Sequence, residues 1–296
     1  RALLQAGADP NAETSDGSTV LMLAIHHESD PRVIQMLLEA GADVNERGGG
    51  WGWTALMSAA KHCPDPQIVR ILVRAGADVS AMDAGGKTPL MHAAESNAPE
   101  VVAALLEAGA NVQRRSERTY GSEGGLTPLM LAASSDRGER VISTLIRAGA
   151  DVNARSVDGK TALMIGAATN THADVHQLLI EAGAVVNARD QDGWSALAYA
   201  SKSNRNEEVT EVLLASGADP NGSVGSDGLS YLMIAASHNT NPAVLDLLIE
   251  AGANVNMQRT ESGETALLLA AKNNTNPHVL ELLIDAGADP APQTST

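Results

Sequence analysis

Aromatic residues are scarce in this chain of 296 residues, which contains three Trp, three Tyr and no Phe. The apolar share of the composition, 44%, therefore consists mostly of alanine and aliphatic side chains. Side chains of this size suit short helices that pack close together. The composition therefore predicts an α-helical core without large rings.

Cysteine is nearly absent as well, since Cys63 is the single one and no disulfide can form within the chain. This favours a reducing compartment, with the cytoplasm as the expected location. The sequence shows no signal-peptide pattern. It begins with Arg1 instead of Met, so we expect a fragment or processed product of a longer protein. If an upstream segment was removed, a secreted or periplasmic location stays open.

Long apolar runs are missing too, because none approaches the roughly 18 residues that a membrane-spanning helix needs. We therefore expect no membrane insertion. Basic residues are in the minority: 20 Lys and Arg stand against 36 Asp and Glu, which gives a net charge of −16. This charge repels nucleic acid, so we expect no nucleic-acid binding.

Catalytic and cofactor motifs are also lacking. The glycines are accounted for by turns and helix ends, and none belongs to a phosphate-binding Gly-Lys-Ser/Thr loop. No segment resembles the nucleophile elbow of a hydrolase. We therefore expect no enzyme activity, no cofactor and no bound metal.

What the chain does contain is a short phrase, Ala-Gly-Ala or once Ser-Gly-Ala, that returns nine times. Its glycines are 33 to 40 residues apart: Gly7, Gly41, Gly76, Gly109, Gly149, Gly183, Gly217, Gly252 and Gly287. Self-similarity at this period indicates a repeat solenoid, in which stacked units bury one another's apolar faces. We predict a single domain over 1–289, with a half repeat 1–15 and eight repeats that start near 16, 50, 84, 121, 157, 191, 226 and 261. Residues 290–296 form a polar tail.

Each repeat carries the signals of two short helices. A hydroxyl residue that can cap the first helix stands two places after a turn glycine: Thr19, Thr54, Thr88, Thr127, Thr161, Ser195, Ser230 and Thr265. Proline opens the second helix in five repeats: Pro31, Pro66, Pro99, Pro242 and Pro277. The glycine of the repeated phrase then ends this helix in a left-handed conformation.

The pattern resembles the ankyrin repeat family: Asp/Gly-x-Thr-Pro/Ala-Leu, then Ala-Ala, Val-x-x-Leu-Leu and Ala-Gly-Ala-Asp-Val-Asn. The resemblance extends from residue 1 to about 289. It implies an all-α solenoid of stacked helix pairs, with β-hairpin or loop fingers that project from one edge.

Two departures from the family pattern stand out. The family's histidine in the first helix is replaced by a mostly Met series, which we expect to pack in the core: Met22, Met57, Met91, Met130, Met164, Ala198, Met233 and Leu268. Most repeats also carry one extra residue in an Asn-x-Asn-Pro break between the helices, which is similar to bacterial ankyrin proteins.

The resemblance implies that partners contact the finger tips and the exposed face of the first helices. The matching finger residues are varied, and several are large and apolar: Trp51, Trp53, Lys87, Leu126, Lys160, Trp194, Leu229 and Glu264. Trp is enriched at interface hot spots. The same rings could instead pack on neighbouring fingers and stiffen the row, so both interpretations stay open.

One finger is longer than the others, because Gly109 and Gly149 are 40 residues apart. Its segment 113–125 contains a basic run: Arg114, Arg115, Arg118 and Tyr120. This run is either a specificity loop for a carboxylate-rich partner or a solvated insertion, which costs little stability.

Polar side chains on the first helices are expected to be exposed on the concave face: His26, His27, His62, His92, Ser96 and Tyr199. Of these, His92 and Tyr199 join the candidate contact residues. A zinc site from His26, His27, His62 and Cys63 is an alternative, but the spacing matches no short metal motif.

The sequence thus predicts a monomeric, non-catalytic scaffold that binds another protein through its finger tips and concave first-helix face. The alternative is a regulatory or targeting segment of a larger enzyme or secreted effector, whose active domain lies outside this chain.

Overall fold

A computed structural model describes residues 6–27, 30–96, 98–117, 124–135 and 138–290. Contacts divide the chain into two units, residues 1–151 and 152–296, and each is described by itself. Both consist of short helices in consecutive pairs, as the sequence predicts. The single domain over 1–289 and the repeat boundaries stay a prediction.

Unit 1 contains eight helices within its described residues: α1 Val20–His27, α2 Pro31–Glu39, α3 Ala55–His62, α4 Pro66–Arg74, α5 Pro89–Glu95, α6 Pro99–Glu107, α7 Pro128–Ser134 and α8 Glu139–Arg147. Unit 2 contains eight more and one two-stranded hairpin: α9 Ala162–Thr169, α10 Ala173–Glu181, α11 Ala196–Ser203, α12 Glu207–Ala215, β1 Ser223–Val224, β2 Leu229–Ser230, α13 Tyr231–His238, α14 Pro242–Glu250, α15 Ala266–Asn273 and α16 Pro277–Asp285. Odd-numbered helices are the first of each pair and even-numbered helices the second. Within a unit, each first helix packs against the first helix of the adjoining pair, and each second helix packs against the second helix of that pair.

The predicted helix caps are confirmed. The Thr54 hydroxyl accepts a hydrogen bond from the main-chain N–H of Met57 at 3.4 Å, and the other seven hydroxyl residues cap their helices in the same way. The carboxylate of Asp65, before Pro66, accepts from the Gln67 N–H at 2.9 Å. These bonds satisfy main-chain donors that a helix start leaves unpaired.

The glycine of the repeated phrase ends each second helix with a positive φ, which is 94° at Gly183. A side chain at this φ is strained, because Cβ then crowds the backbone. The following segment, which we call a finger, turns back toward the next first helix. Few finger residues are strand: β1 and β2 pair antiparallel, and Gly48 and Trp53 form an isolated bridge.

The core is aliphatic, and the predicted methionine series lies within it. All six methionines of that series are at most 6% exposed. Leu268 differs, with 39% exposure. Its helix α15 packs against α13, and no later first helix of the described chain covers its other side.

Asparagines join neighbouring repeats at the fingers, a role that the sequence analysis did not predict. The side chain of Asn45 donates to the Gly76 carbonyl at 3.0 Å and accepts from the Asp78 N–H at 2.8 Å. The same two bonds recur six more times within the units: at Asn11, Gln113, Asn153, Asn187, Asn221 and Asn256. Ser80 stands at the equivalent place between Asn45 and Gln113, and its short hydroxyl bonds to Asp78 at 2.6 Å instead.

In unit 2, asparagines of the Asn-x-Asn-Pro break form a second series of hydrogen bonds between repeats, which we call the asparagine ladder. The side chain of Asn239 is 2% exposed and donates to the carbonyls of Ser201 at 3.2 Å and Asn204 at 2.9 Å. Asn274 repeats this on the Asn239 carbonyl at 2.8 Å. Asparagines of these breaks therefore supply hydrogen bonds between repeats. In unit 1 the corresponding residue of α3's C-cap is Cys63, which is buried.

Candidate functional site

A cleft of about 400 Å³ in unit 1 lies between the first two fingers and the ends of helices α1 and α3. Finger residues Asp16, Trp51 and Trp53 line one part, and His26 and His62 line another. The cleft thus brings residues from two repeats to one surface.

Three imidazoles meet along this cleft. The ring centroid of His26 lies 4.9 Å from that of His27 and 4.8 Å from that of His62. Partial burial, together with the nearby His26 and Lys61, lowers the pKa of His62. The neutral form of His62 is therefore favoured at pH 7, and the ring acts as an uncharged aromatic group with hydrogen-bonding nitrogens.

The two tryptophans of this cleft have different surroundings. The half-buried Trp53 ring lies 5.8 Å from His62 and 4.6 Å from His92, which belongs to the next repeat. Trp53 therefore packs between repeats. Trp51 is 67% exposed, and among the described residues it forms no ring pair. Its carbonyl accepts from the Ala84 N–H at 2.9 Å, which fixes the backbone beneath the exposed indole.

His92 is buried, so the expectation of an exposed side chain at this position is wrong. It is 3% exposed, and its Nε2 lies 2.8 Å from the Asp83 carboxylate. Burial lowers the pKa of His92, although the hydrogen bond with Asp83 opposes that effect. Asp83 belongs to the finger that leads into α5, so its contact with His92 lies within one repeat, and the Trp53 ring of the preceding repeat packs on His92.

Lys87 also has an internal partner. Its Nζ lies 2.8 Å from Glu95 Oε1, and Lys61 Nζ lies 3.0 Å from Oε2 of the same carboxylate. Burial opposes ionisation of Glu95, but the hydrogen bonds from Lys87 and Lys61 outweigh it and lower the pKa. These three half-buried groups link α3 to α5.

The long finger is described only in part. Arg114 and Arg115 are exposed, and Arg114 Nη2 lies 2.7 Å from the Met82 sulfur. Leu126 is half-buried, and its carbonyl accepts from the Ser116 N–H at 2.9 Å. The remaining candidates, Arg118 and Tyr120, lie outside the described residues.

Unit 2 carries a separate aromatic group. The Trp194 ring lies 5.2 Å from Tyr199, whose hydroxyl donates to the Asp190 carboxylate at 2.6 Å. Lys202 Nζ lies 5.1 Å from the Trp194 centroid, and Lys160 Nζ lies 5.7 Å from the Tyr199 centroid. Lysines already occupy cation–π positions here.

The last two candidates lie nearer the end of unit 2. Leu229 is a half-buried residue of β2. Glu264 pairs with Arg259 at 3.0 Å and with Lys272 at 3.4 Å, and Arg259 also binds Asp227. The Glu264 carboxylate is thus engaged by its own finger and by helix α15.

The zinc interpretation receives no geometric support. Across the described ranges, no group of three or more His, Cys, Asp or Glu side chains could hold a metal ion. Cys63 is 3% exposed, below the surface that His26, His27 and His62 line. Nor does any helix of the described chain combine the length and apolar character required to cross a bilayer.

From the sequence, His26, His27 and His62 are expected to be ordinary exposed side chains outside the candidate contact residues. The structure places all three beside the finger that carries Trp51 and Trp53. A signal was present in the repeat phase: His27 and His62 each stand eight residues after the capping threonine of their helix, Thr19 and Thr54.

A comparison with models of protein families gives a match. A family model described as ankyrin repeats (3 copies) matches overlapping stretches of the chain: 1–83, 30–116, 56–156, 129–224 and 221–294. No curated protein matches the sequence.

Proposed function

The chain belongs to the ankyrin-repeat family, and from that premise we propose that it is a non-catalytic scaffold that binds a partner protein through its finger tips and exposed first-helix face. The observation that carries this proposal is Trp51, which is 67% exposed on a finger at the rim of the 400 Å³ cleft. Trp is enriched at interface hot spots, so an exposed Trp on a finger is a strong candidate for partner contact.

The rigidity of the finger around Trp51 supports the same proposal. The main chains of Gly48 and Trp53 exchange hydrogen bonds of 2.8 and 2.9 Å. The Arg47 guanidinium donates to the carbonyls of Gly52 at 3.2 Å and Met82 at 2.7 Å. A surface held in place before binding loses little conformational entropy on association.

We further propose that the scaffold is monomeric and binds no nucleic acid. The net charge of −16 supports both parts, because like charges oppose self-association and repel phosphates.

The experiment that tests the proposed function is affinity capture from native lysate, with mass spectrometry of the retained proteins. It compares the wild type with Trp51→Ala and with Val185→Ala, a control at a 56% exposed apolar residue of unit 2. We expect a protein that the wild type and the control retain and Trp51→Ala loses. Retention of the same proteins by all three would exclude Trp51 from the binding surface.

A further inference from the structure

The cleft between the first two fingers has the chemistry of a cation site, and we propose that it binds a lysine or arginine side chain on a basic segment of the partner. This inference rests on the proposed function and names the chemistry that the cleft selects. Its basis is the joint presence of aromatic faces and one carboxylate in an acidic protein.

The aromatic part of the cleft consists of the Trp51 and Trp53 indoles and the imidazoles of His26 and His62. Ring faces attract cations, and Trp attracts them most strongly. The Trp51 indole is 67% exposed. Unit 2 shows the same chemistry in use, since Lys202 lies over Trp194 at 5.1 Å.

Among the described residues that line the cleft, Asp16 is the one carboxylate. It accepts hydrogen bonds from the hydroxyls of Thr14 and Ser18, and these bonds, that of Thr14 most of all, lower the pKa of Asp16. Asp16 is therefore ionised at neutral pH and supplies a negative charge beside the aromatic faces. The net charge of −16 adds a long-range attraction for cations.

The part of the lining that the structure describes contains no lysine or arginine. Basic groups on the adjoining elements have other partners: Lys61 binds Glu95, Arg47 binds main-chain carbonyls, and Arg32 on α2 binds Asp30. A carboxylate entering the cleft would therefore meet no lysine or arginine that is available to pair with it. A cation fits the lining better.

Acid weakens such a site. Protonation of His62 in acid adds positive charge beside the cation, while the hydrogen bonds to Asp16 keep its carboxylate ionised to lower pH. Affinity for a cation should therefore fall as the pH decreases from 7.5 to 5.5. An anionic occupant would show the opposite trend.

The test uses the full chain and two small probes of equal shape, choline and its uncharged isostere 3,3-dimethyl-1-butanol. Binding is followed by NMR of the Trp indole N–H signals. We expect choline to shift the Trp51 and Trp53 signals with an affinity about 2- to 30-fold higher than that of the alcohol. The choline affinity should decrease with acid and in the variants Trp51→Leu and Asp16→Asn, and stay unchanged in Val185→Ala.

Equal affinities for the two probes would overturn the cation assignment and indicate an apolar occupant. Tighter binding at pH 5.5, or larger shifts with acetate than with choline, would also overturn the cation assignment, and these results would indicate an anionic occupant. Each result leaves the proposed function to be decided by the capture experiment, where loss of a partner in Trp51→Ala supports the scaffold whatever the probes show.

Discussion

The side-chain amide of Asn204 donates a hydrogen bond of 2.9 Å to the main-chain carbonyl of Asn170, in the preceding repeat of unit 2. The same nitrogen lies 3.2 Å from the Ala167 carbonyl. Both asparagines are almost fully buried. The polar break between helices is thus part of the interface between repeats.

Asn204→Ala should lower the free energy of unfolding by about 2–3 kcal/mol, because it leaves buried carbonyls without donors. Asn187→Ala removes an equivalent pair of bonds at an exposed finger and should cost about 1 kcal/mol. Urea unfolding followed by circular dichroism measures both. Equal losses of unfolding free energy in the two variants would show that burial of the Asn204 hydrogen bonds adds no stability.

Ser80→Asn should stabilise unit 1 by about 0.5–1.5 kcal/mol, because the longer side chain can form the bonds that Asn45 forms in the preceding repeat. Space is available: a cavity of about 90 Å³ is lined by Ser80, Val79, Thr88, Asn111 and Arg114. Thermal unfolding checks this prediction against Ser80→Ala as the control. A melting temperature no higher than that of wild type would contradict it.

Trp53→Ala should destabilise the protein by about 1–3 kcal/mol, since its ring packs against His62 and His92. Trp51→Ala should change the stability by less than about 0.5 kcal/mol, because its ring is mostly in solvent. Chemical denaturation of both variants measures their free energies of unfolding and so distinguishes a ring that packs between repeats from one that lies on the surface. A large loss in Trp51→Ala would argue against its role as a free contact residue.

His176 should make the protein less stable in acid. It is completely buried in α10, and its Nδ1 lies 3.0 Å from the His172 carbonyl. Burial lowers the pKa of His176 more than this carbonyl raises it. The unfolded state, with a pKa near 6.5, then binds more protons than the folded state. Stability is therefore full above about pH 6.5 and decreases as the pH falls toward the folded pKa.

His176→Leu should flatten this pH dependence, because Leu245 occupies the same place in α14 without a titrating group. Unfolding free energies at pH 7.5, 6.5 and 5.5 test the expectation. A slope in His176→Leu equal to that of the wild type would assign the acid sensitivity to other groups.

The helix ends could be predicted from sequence because they depend on neighbours only a few residues away. The Thr54 cap, Pro66 and the left-handed Gly183 each act within one turn of backbone. The burial of His92 could not be predicted in this way, since it depends on where stacking places its own finger and Trp53 of the preceding repeat. For the cleft, the separate residues were visible in the sequence, but their convergence follows from the packing of α1 on α3.

The asparagine ladder in unit 2 also gives the protein built-in reporters of its own opening. The Nδ2 hydrogens of Asn204 and Asn239 are buried and donated to carbonyls of the preceding repeat. They can exchange with solvent deuterium only when those two repeats part. Their side-chain NMR signals would therefore record, one interface at a time, how often the stack separates.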